Sequence, residues 1–134
     1  MSVAEQMLRS HPDERDEANR DRVLECVEAC LACAQACTAC ADACLGEEEL
    51  DRLRECVRTD LDCADQCAAT GRILTRRTGG DTRLVRAVLE ACAQACASCA
   101  EECERHASHH EHCRVCAQAC RRCERACREL LATL

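Results

Sequence analysis

The chain has 134 residues, a formal net charge of −7 and 18 cysteines, and it lacks Phe, Tyr and Trp. A net negative charge without a basic stripe or interleaved aromatic side chains excludes a nucleic-acid partner. With one proline and four glycines among residues that favour helices, the composition excludes a β-rich fold and predicts a single all-α domain spanning residues 1–134.

The first 25 residues contain no apolar run that could form the centre of a signal peptide or a membrane span. We therefore expect a cytoplasmic protein with reduced thiols and no membrane partner. A short helical segment around Val3, Met7 and Leu8 is predicted to precede the main fold.

The first long helix is predicted over residues 12–45 and the second over 47–77. Pro12 opens the first helix, with Ser10 and Asp13 as its cap. Gly46 ends that helix, and the acidic residues 47–49 suit the N-terminus of the next one because the helix dipole favours negative charge there.

The third and fourth long helices are predicted over residues 81–107 and 109–132. The TGGD sequence at 78–81 separates the second helix from the third. Ser108 and Glu111 form an S-x-x-E capping box, which indicates that the fourth helix begins there. Short connections make neighbouring helices antiparallel, so we expect an up-down four-helix bundle.

Cysteine recurs at every third or fourth position within each predicted helix. Between residues 26 and 44 the gaps are 4, 3, 4, 3 and 4, the spacing at which side chains line one face of an α-helix. Such neighbours lie roughly 5–6 Å apart at Cβ, too far for a disulfide, so a pair such as Cys26 and Cys30 stays reduced. The stripes contain Cys26, Cys30, Cys33, Cys37, Cys40 and Cys44, then Cys56, Cys63 and Cys67, then Cys92, Cys96, Cys99 and Cys103, and finally Cys113, Cys116, Cys120, Cys123 and Cys127.

The up-down topology predicts two different poles for the bundle. One pole gathers inward aliphatic residues and is expected to be an aliphatic plug: Val23, Leu74, Val85, Val88, Leu130 and Leu134. The opposite pole gathers Cys44, Cys103 and Cys113 around a histidine-rich turn that contains His106, His109, His110 and His112. Four histidines beside thiols indicate that at least two of them bind or admit ions.

Asp60 occupies a position where the stripe predicts cysteine, between Cys56 and Cys63. A lone inward carboxylate needs a partner, because an unpaired buried charge is costly. The sequence leaves open whether that partner is a metal ion or a hydrogen bond from a neighbouring helix.

So many core thiols indicate a chemical role, since Leu or Val would bury more apolar surface without the hazard of oxidation. Thiolate is a soft ligand that selects Cu(I), zinc or iron–sulfur clusters. Zinc and cluster ligands usually come from loops and C-x-x-C knuckles, whereas this chain carries C-x-x-x-C pairs on straight helices. Cu(I) accepts two or three thiolates, and bridging thiolates would allow a capacity of about one Cu(I) per cysteine.

The C-x-x-x-C stripes and the histidine-rich turn resemble the cytosolic copper storage proteins, a family of four-helix bundles that bind copper. The resemblance covers the chain from about Asp13 to Leu134. It implies binding of many Cu(I) ions along the bundle core, a homotetramer, and mouth positions occupied by His106, His110 and His112. We therefore expect a non-enzymatic store of Cu(I), with a copper chaperone as a further partner. Exported members use methionine at the mouth, whereas this chain has only Met1 and Met7, which favours the cytosolic branch.

Two other functions stay open from the sequence. A thiol redox, iron–sulfur or zinc protein would use a few special cysteines in an exposed setting. A structural protein stapled by disulfides between helices would need an oxidising compartment. A weaker outward apolar stripe either docks the N-terminal segment or forms an oligomer interface; it contains Leu24, Val27, Leu31, Leu45, Val57 and Leu61.

Overall fold

The computed structural model describes residues 1–13 and 16–134, and in this part of the chain all regular secondary structure is helical. The helices are α1 (Val3–Arg9), α2 (Glu17–Leu45), α3 (Leu50–Thr75), α4 (Thr82–His106) and α5 (Glu111–Leu131). Helix α2 packs against α3 and α5, and α4 packs against the same two helices, so the four long helices close a ring around one core. The predicted up-down four-helix bundle with a short N-terminal helix is confirmed.

The first long helix begins at Glu17, so the prediction that Pro12 opens it is wrong. The Asp16 side chain caps the helix by accepting a hydrogen bond from the backbone N–H of Asn19 at 2.8 Å. Ser10 belongs to the preceding helix, because its hydroxyl donates to the carbonyl of Met7 and it is the C-cap residue of α1. Aspartate is a strong N-cap residue, and here it lies after the proline.

The last helix begins at Glu111, and its N-cap is His110 rather than the predicted Ser108. The Glu111 carboxylate does not complete a capping box. It accepts hydrogen bonds from the guanidinium of Arg114 one turn later, and that interaction satisfies the carboxylate within the helix. The difference matters for function because it places His110 at the mouth of the bundle as a helix-terminal residue.

The connection between α3 and α4 contains the predicted break. Gly79 and Gly80 have φ angles of 63° and 115°, in the region that favours glycine, and they reverse the chain. Asp81 then caps α4 by accepting a hydrogen bond from the backbone N–H of Arg83 at 2.9 Å.

All 18 cysteine side chains are buried, and they form the middle of the hydrophobic core. Small residues flank them on the helix faces that touch: Ala29, Ala41, Ala64, Ala93, Ala97, Ala100, Ala117 and Ala126 are buried. At Gly71 of α3 an added Cβ would lie 3.4 Å from the Cβ of Cys30, so α2 and α3 approach closely there. Small side chains allow the helices to pack near enough for sulfurs on different helices to meet.

Helix α1 docks on the outside of α2. Leu8 is buried against the core cluster, and the hydroxyl of Ser2 donates to the carboxylate of Glu28 at 2.7 Å. Val27, from the outward apolar stripe, is also buried. Leu31 and Leu61 remain about half exposed, so the N-terminal helix covers only part of that stripe.

The aliphatic pole is looser than the predicted plug. Leu134 is exposed and Val88 is only partly buried, while Leu89 takes the fully buried position on α4. A cavity of about 320 Å³ indents this pole between residues that include Val23, Leu74 and Leu130. One position along a helix turns a side chain by 100°, which explains why Leu89 replaces its neighbour in the core.

By its length and composition alone, helix α2 is apolar enough to span a membrane. Its six cysteines, together with Val23, Val27, Ala29 and Ala41, are buried in the bundle core. Core packing therefore accounts for this apolar composition.

Candidate metal centre

The cysteine sulfurs form a column along the axis of the bundle. At one end the Sγ atoms of Cys26 and Cys127 lie 3.7 Å apart, and towards the histidine pole those of Cys40 and Cys113 lie 3.9 Å apart. Between these ends, sulfurs from all four long helices approach one another at 3.6 to 4.0 Å. All 18 thiols are free, so the column contains no disulfide.

Groups of four cysteines bring their sulfurs within 4.8 Å of one another. Successive groups share members: Cys33 and Cys63 belong to two groups, and so do Cys37 and Cys120. Five of these groups are Cys30, Cys92, Cys123 and Cys127; Cys33, Cys63, Cys67 and Cys96; Cys33, Cys37, Cys63 and Cys120; Cys37, Cys99, Cys116 and Cys120; and Cys40, Cys44, Cys56 and Cys113. Shared sulfurs join the three middle groups. Sulfur contacts of 3.9 Å between Cys67 and Cys123, and of 3.6 and 4.0 Å from Cys103 to Cys56 and Cys99, link the two outer groups to them. The sulfurs therefore form a continuous column rather than a set of separate sites.

The spacing of the sulfurs suits metal ions. Four ligands around a metal with bonds of about 2.3 Å stand roughly 3.8 Å from one another, close to the distances between these sulfurs. A cysteine that belongs to two groups would have to bind two metal ions at once, and thiolates can bridge two metal ions in this way. An all-thiolate site binds soft ions, and each monovalent ion that replaces a thiol proton leaves the buried charge unchanged.

Burial raises the pKa of thiols at both ends of the empty column. It raises the pKa of the Cys44 thiol to about 12, and the neighbouring sulfur of Cys56 adds to this effect. A hydrogen bond with Cys127, together with burial, raises the pKa of Cys26 well above its usual value. These thiols are therefore protonated at neutral pH, and metal binding must release their protons.

Asp60 is fully buried among the sulfurs, between the Cys37 group and the mouth. Its Oδ1 lies 3.0 Å from the Sγ of Cys99, 3.2 Å from that of Cys116 and 3.5 Å from that of Cys103. Its Oδ2 lies 3.8 Å from the Sγ of Cys56. Burial raises the pKa of Asp60 to about 11, with Cys116 and Cys99 as further causes. The carboxyl group is therefore neutral in the metal-free protein, and thiols supply its hydrogen bonds.

Two of the three predicted mouth histidines lie beside each other. The rings of His110 and His112 stack with their centroids 5.5 Å apart. The Nδ1 of His112 lies 3.3 Å from the Sγ of Cys40 and 3.6 Å from that of Cys113, so this imidazole reaches the end of the sulfur column. His112 and these two thiols thus form a potential ligand set of one nitrogen and two sulfurs.

The third predicted histidine has a different partner. The Nε2 of His106 lies 3.1 Å from a carboxylate oxygen of Glu102, which is buried and also pairs with Arg105. His109 is exposed, and His11 accepts a hydrogen bond from the backbone N–H of Asp13 near the N-terminus.

Sequence reasoning missed two carboxylates at the mouth, Glu47 and Glu102. An oxygen of Glu47 lies 3.0 Å from the Nδ1 of His110, and Glu102 makes a hydrogen bond with His106. Glu102 precedes His106 by four residues on α4, a spacing that predicts contact on one helix face. Glu47 lies in an acidic run that resembles a solvated helix start, and only the packing of the turn against α5 reveals its partner.

The comparisons with known proteins agree with this geometry. The family model described as copper storage protein matches residues 19–132. The copper storage protein Ccsp from Streptomyces lividans, loaded with 10 copper equivalents, is 56% identical with a TM-score of 0.95, over 98% of this chain and 100% of that one. A five-copper structure of the cytosolic protein from the same organism is 60% identical with a TM-score of 0.87, over 89% of this chain and 99% of that one.

A more distant relative shares the same fold. The Cu(I)-bound copper storage protein BsCsp3 is 36% identical with a TM-score of 0.68, over 78% of this chain and 93% of that one. No curated protein sequence gives a significant match. The match to the family over most of its length, together with a continuous column of buried thiols, shows that the chain belongs to the copper storage protein family.

Proposed function

We propose that the protein stores and buffers many Cu(I) ions per chain in the cytosol, without catalysing a reaction. The observation that carries this proposal is the column of 18 buried, free thiols, in which Cys33, Cys37, Cys63 and Cys120 each belong to two neighbouring four-sulfur groups. A continuous column offers capacity rather than one selective site. Its uniform burial leaves no single activated thiol of the kind that a redox enzyme requires.

Loading exchanges protons for copper. Each Cu(I) that displaces a thiol proton leaves the interior neutral, so a full column of 18 thiolates is balanced by about 18 Cu(I) ions. Four-sulfur zinc sites would instead give each divalent ion four thiolates, leaving two negative charges per ion in a buried core. Charge balance thus favours Cu(I) over zinc in this column.

The proposed ligands include every cysteine and four further residues. Asp60 replaces a thiol within the column, where its deprotonated oxygen would bind copper beside Cys99 and Cys116. His106, His110 and His112 serve uptake and release at the mouth. His112 connects them to the column because its Nδ1 already faces Cys40 and Cys113.

Two partners are part of this proposal. A homotetramer would cover apolar side chains such as Leu31 and Leu61, which the monomer leaves about half exposed. A copper chaperone would deliver and retrieve ions at the histidine pole, because the residues that line the cavity at the opposite pole include no cysteine or histidine.

The proposal is tested by titrating the fully reduced, metal-free protein with Cu(I) under anaerobic conditions against a competing chelator. We expect tight uptake of more than about ten Cu(I) per chain with an unchanged helical circular dichroism signal. A parallel titration with Zn(II) is the control. Saturation at one to about four ions, or a preference for zinc, would contradict storage and favour a zinc or redox protein that uses a subset of the cysteines.

A further inference from the structure

The turn between α2 and α3 places one carboxylate against two imidazoles of the mouth. The Oε2 of Glu47 lies 3.0 Å from the Nδ1 of His110, and its Oε1 lies 3.7 Å from the Nε2 of His112. The Glu47 side chain is only 35% exposed, and that of His110 is only 10% exposed. One residue from outside the histidine-rich turn therefore contacts both stacked rings.

The contact with Glu47 determines which nitrogen of His110 carries the proton. The carboxylate oxygen, 3.0 Å from the Nδ1 of His110, attracts an N–H and repels a nitrogen lone pair. In the neutral ring the proton then sits on Nδ1, and the lone pair is on Nε2. The Nε2 of His110 is thereby kept available for a metal ion.

His112 has the opposite arrangement. Its Nε2 is buried and has no hydrogen-bond partner among the described residues, and the oxygen of Glu47 that faces it lies at 3.7 Å. A lone pair on Nε2 would be repelled by that carboxylate, whereas an N–H would be attracted to it. The proton therefore sits on Nε2, which leaves the Nδ1 lone pair directed at Cys40 and Cys113.

We propose that Glu47 is a positioning residue that fixes complementary tautomers of His110 and His112. Its carboxylate attracts the ring proton of His110 to Nδ1 and that of His112 to Nε2, so that an outer and an inner nitrogen lone pair are both free. The rings lie 5.5 Å apart, and the inner lone pair already faces two thiols of the column. Cu(I) held by the outer nitrogen of His110 can thus pass to His112 without a tautomer exchange. This inference rests on the proposed uptake of copper at the histidine pole.

The tautomers are tested on the metal-free, reduced protein by long-range proton–nitrogen NMR of the histidine rings. Spectra are recorded at about pH 8.5, where a free imidazole is neutral. The wild type should show a proton on Nδ1 of His110 and on Nε2 of His112. E47A should give mixed tautomers for His112, while the control E48A, in the same turn, should match the wild type. Any other wild-type pattern overturns the proposal.

E47Q gives a sharper variant because it preserves the shape of the side chain. An amide presents one acceptor oxygen and one donor nitrogen, so it can hold only one of the two ring protons and must donate to the other ring. One histidine should therefore adopt the reverse tautomer. Unchanged tautomers in both E47Q and E47A would show that Glu47 does not set them.

Copper uptake supplies the second readout, measured by stopped-flow absorbance with a Cu(I)–chelator complex as donor. E47A should take up its first Cu(I) about 10-fold more slowly than the wild type and E48A, with the same final capacity. If the wild type binds no Cu(I), the proposed function fails, whereas the NMR result still tests the tautomers. If the wild type and E47A load at equal rates, the role of Glu47 in uptake fails while storage stands.

Discussion

The Oδ1 of Asp60 lies 3.0 Å from the Sγ of Cys99, inside a core where neither side chain reaches water. A carboxyl group in this position cannot keep its usual acidity. Burial first, and then the sulfurs of Cys116 and Cys99, raise its pKa from 3.8 to about 11. Folding the metal-free chain therefore makes Asp60 take up a proton over a wide range of pH.

The first prediction concerns D60N and the stability of the metal-free protein. The raised pKa means that the contribution of Asp60 to stability is fully present below pH 3.8 and is lost as pH rises towards about 11. Between about pH 5 and 8, the wild-type free energy of unfolding should fall relative to D60N by about 1.4 kcal/mol per pH unit. Urea unfolding of the reduced protein at several pH values measures the difference.

D65N is the matched control for this experiment, because Asp65 is an exposed residue of the same helix. Its profile should run parallel to that of the wild type. Thiols that ionise in the unfolded chain at high pH affect all three proteins alike, so the difference between profiles isolates Asp60. Parallel profiles for the wild type and D60N would mean that Asp60 is ionised in the folded protein.

The second prediction is that the affinity for Cu(I) increases with pH. Burial raises the pKa of the Cys44 thiol to about 12, so copper must displace a proton across the neutral range. The apparent affinity should rise by up to about tenfold per pH unit for each proton released per ion. Competition with a chelator of known pH dependence, at about pH 6.5, 7.5 and 8.5, checks this. An affinity independent of pH would indicate preformed thiolates.

The third prediction concerns the mouth. The triple variant H106A/H110A/H112A should take up Cu(I) roughly tenfold more slowly, with little loss of capacity, because the thiols of the column remain. Stopped-flow absorbance measures the uptake rate, and an equilibrium titration measures the capacity for Cu(I). H11A is the control, since His11 lies near the N-terminus beside Asp13. A large loss of capacity would contradict a role restricted to uptake and release.

The sequence was sufficient to predict the bundle and its core because one periodic signal specifies both. A side chain that recurs every three or four residues must face one direction on a helix, and all 18 cysteines are buried as that spacing requires. Asp60 was identified by the same register, since it interrupts a stripe of cysteines. What the register left open was its partner, which the structure identifies as thiols from α3, α4 and α5.

Helix ends and the mouth were harder to predict because their contacts are specific and non-periodic. Both Pro12 and Ser108 were plausible helix starts, but Asp16 and His110 are the residues that cap α2 and α5. The pairing of Glu47 with His110 joins residues that are far apart in the chain. Only the way in which the two turns meet at one pole brings them together.

The fourth prediction concerns the proposed oligomer. Leu31 and Leu61 are about half exposed on α2 and α3, and covering such side chains favours association. The double variant L31E/L61E should dissociate a wild-type tetramer, because burying two carboxylates at an interface is costly. Light scattering coupled to size-exclusion chromatography gives the mass. V115E, a similarly exposed position on α5, is the control. Equal masses for wild type and L31E/L61E would place any interface elsewhere.

The fifth prediction separates a continuous column from independent sites by comparing C33S with C26S. The Sγ of Cys33 lies 3.8 Å from that of Cys37 and 3.7 Å from those of Cys63 and Cys120, and Cys33 belongs to two four-sulfur groups. Cys26 lies at the aliphatic end of the column, 3.7 Å from Cys127. If thiolates bridge copper ions, C33S should lose at least about two Cu(I) per chain and C26S about one.

The same anaerobic titration measures both capacities, and circular dichroism of the metal-free variants verifies that each folds. Serine is close in size to cysteine, so the substitution tests the sulfur more than the packing. Equal losses in the two variants would mean that each thiol contributes separately to the capacity. Membership of two four-sulfur groups would then not make Cys33 a bridge between copper ions. A greater loss in C33S would establish that neighbouring four-sulfur groups fill as one connected cluster system.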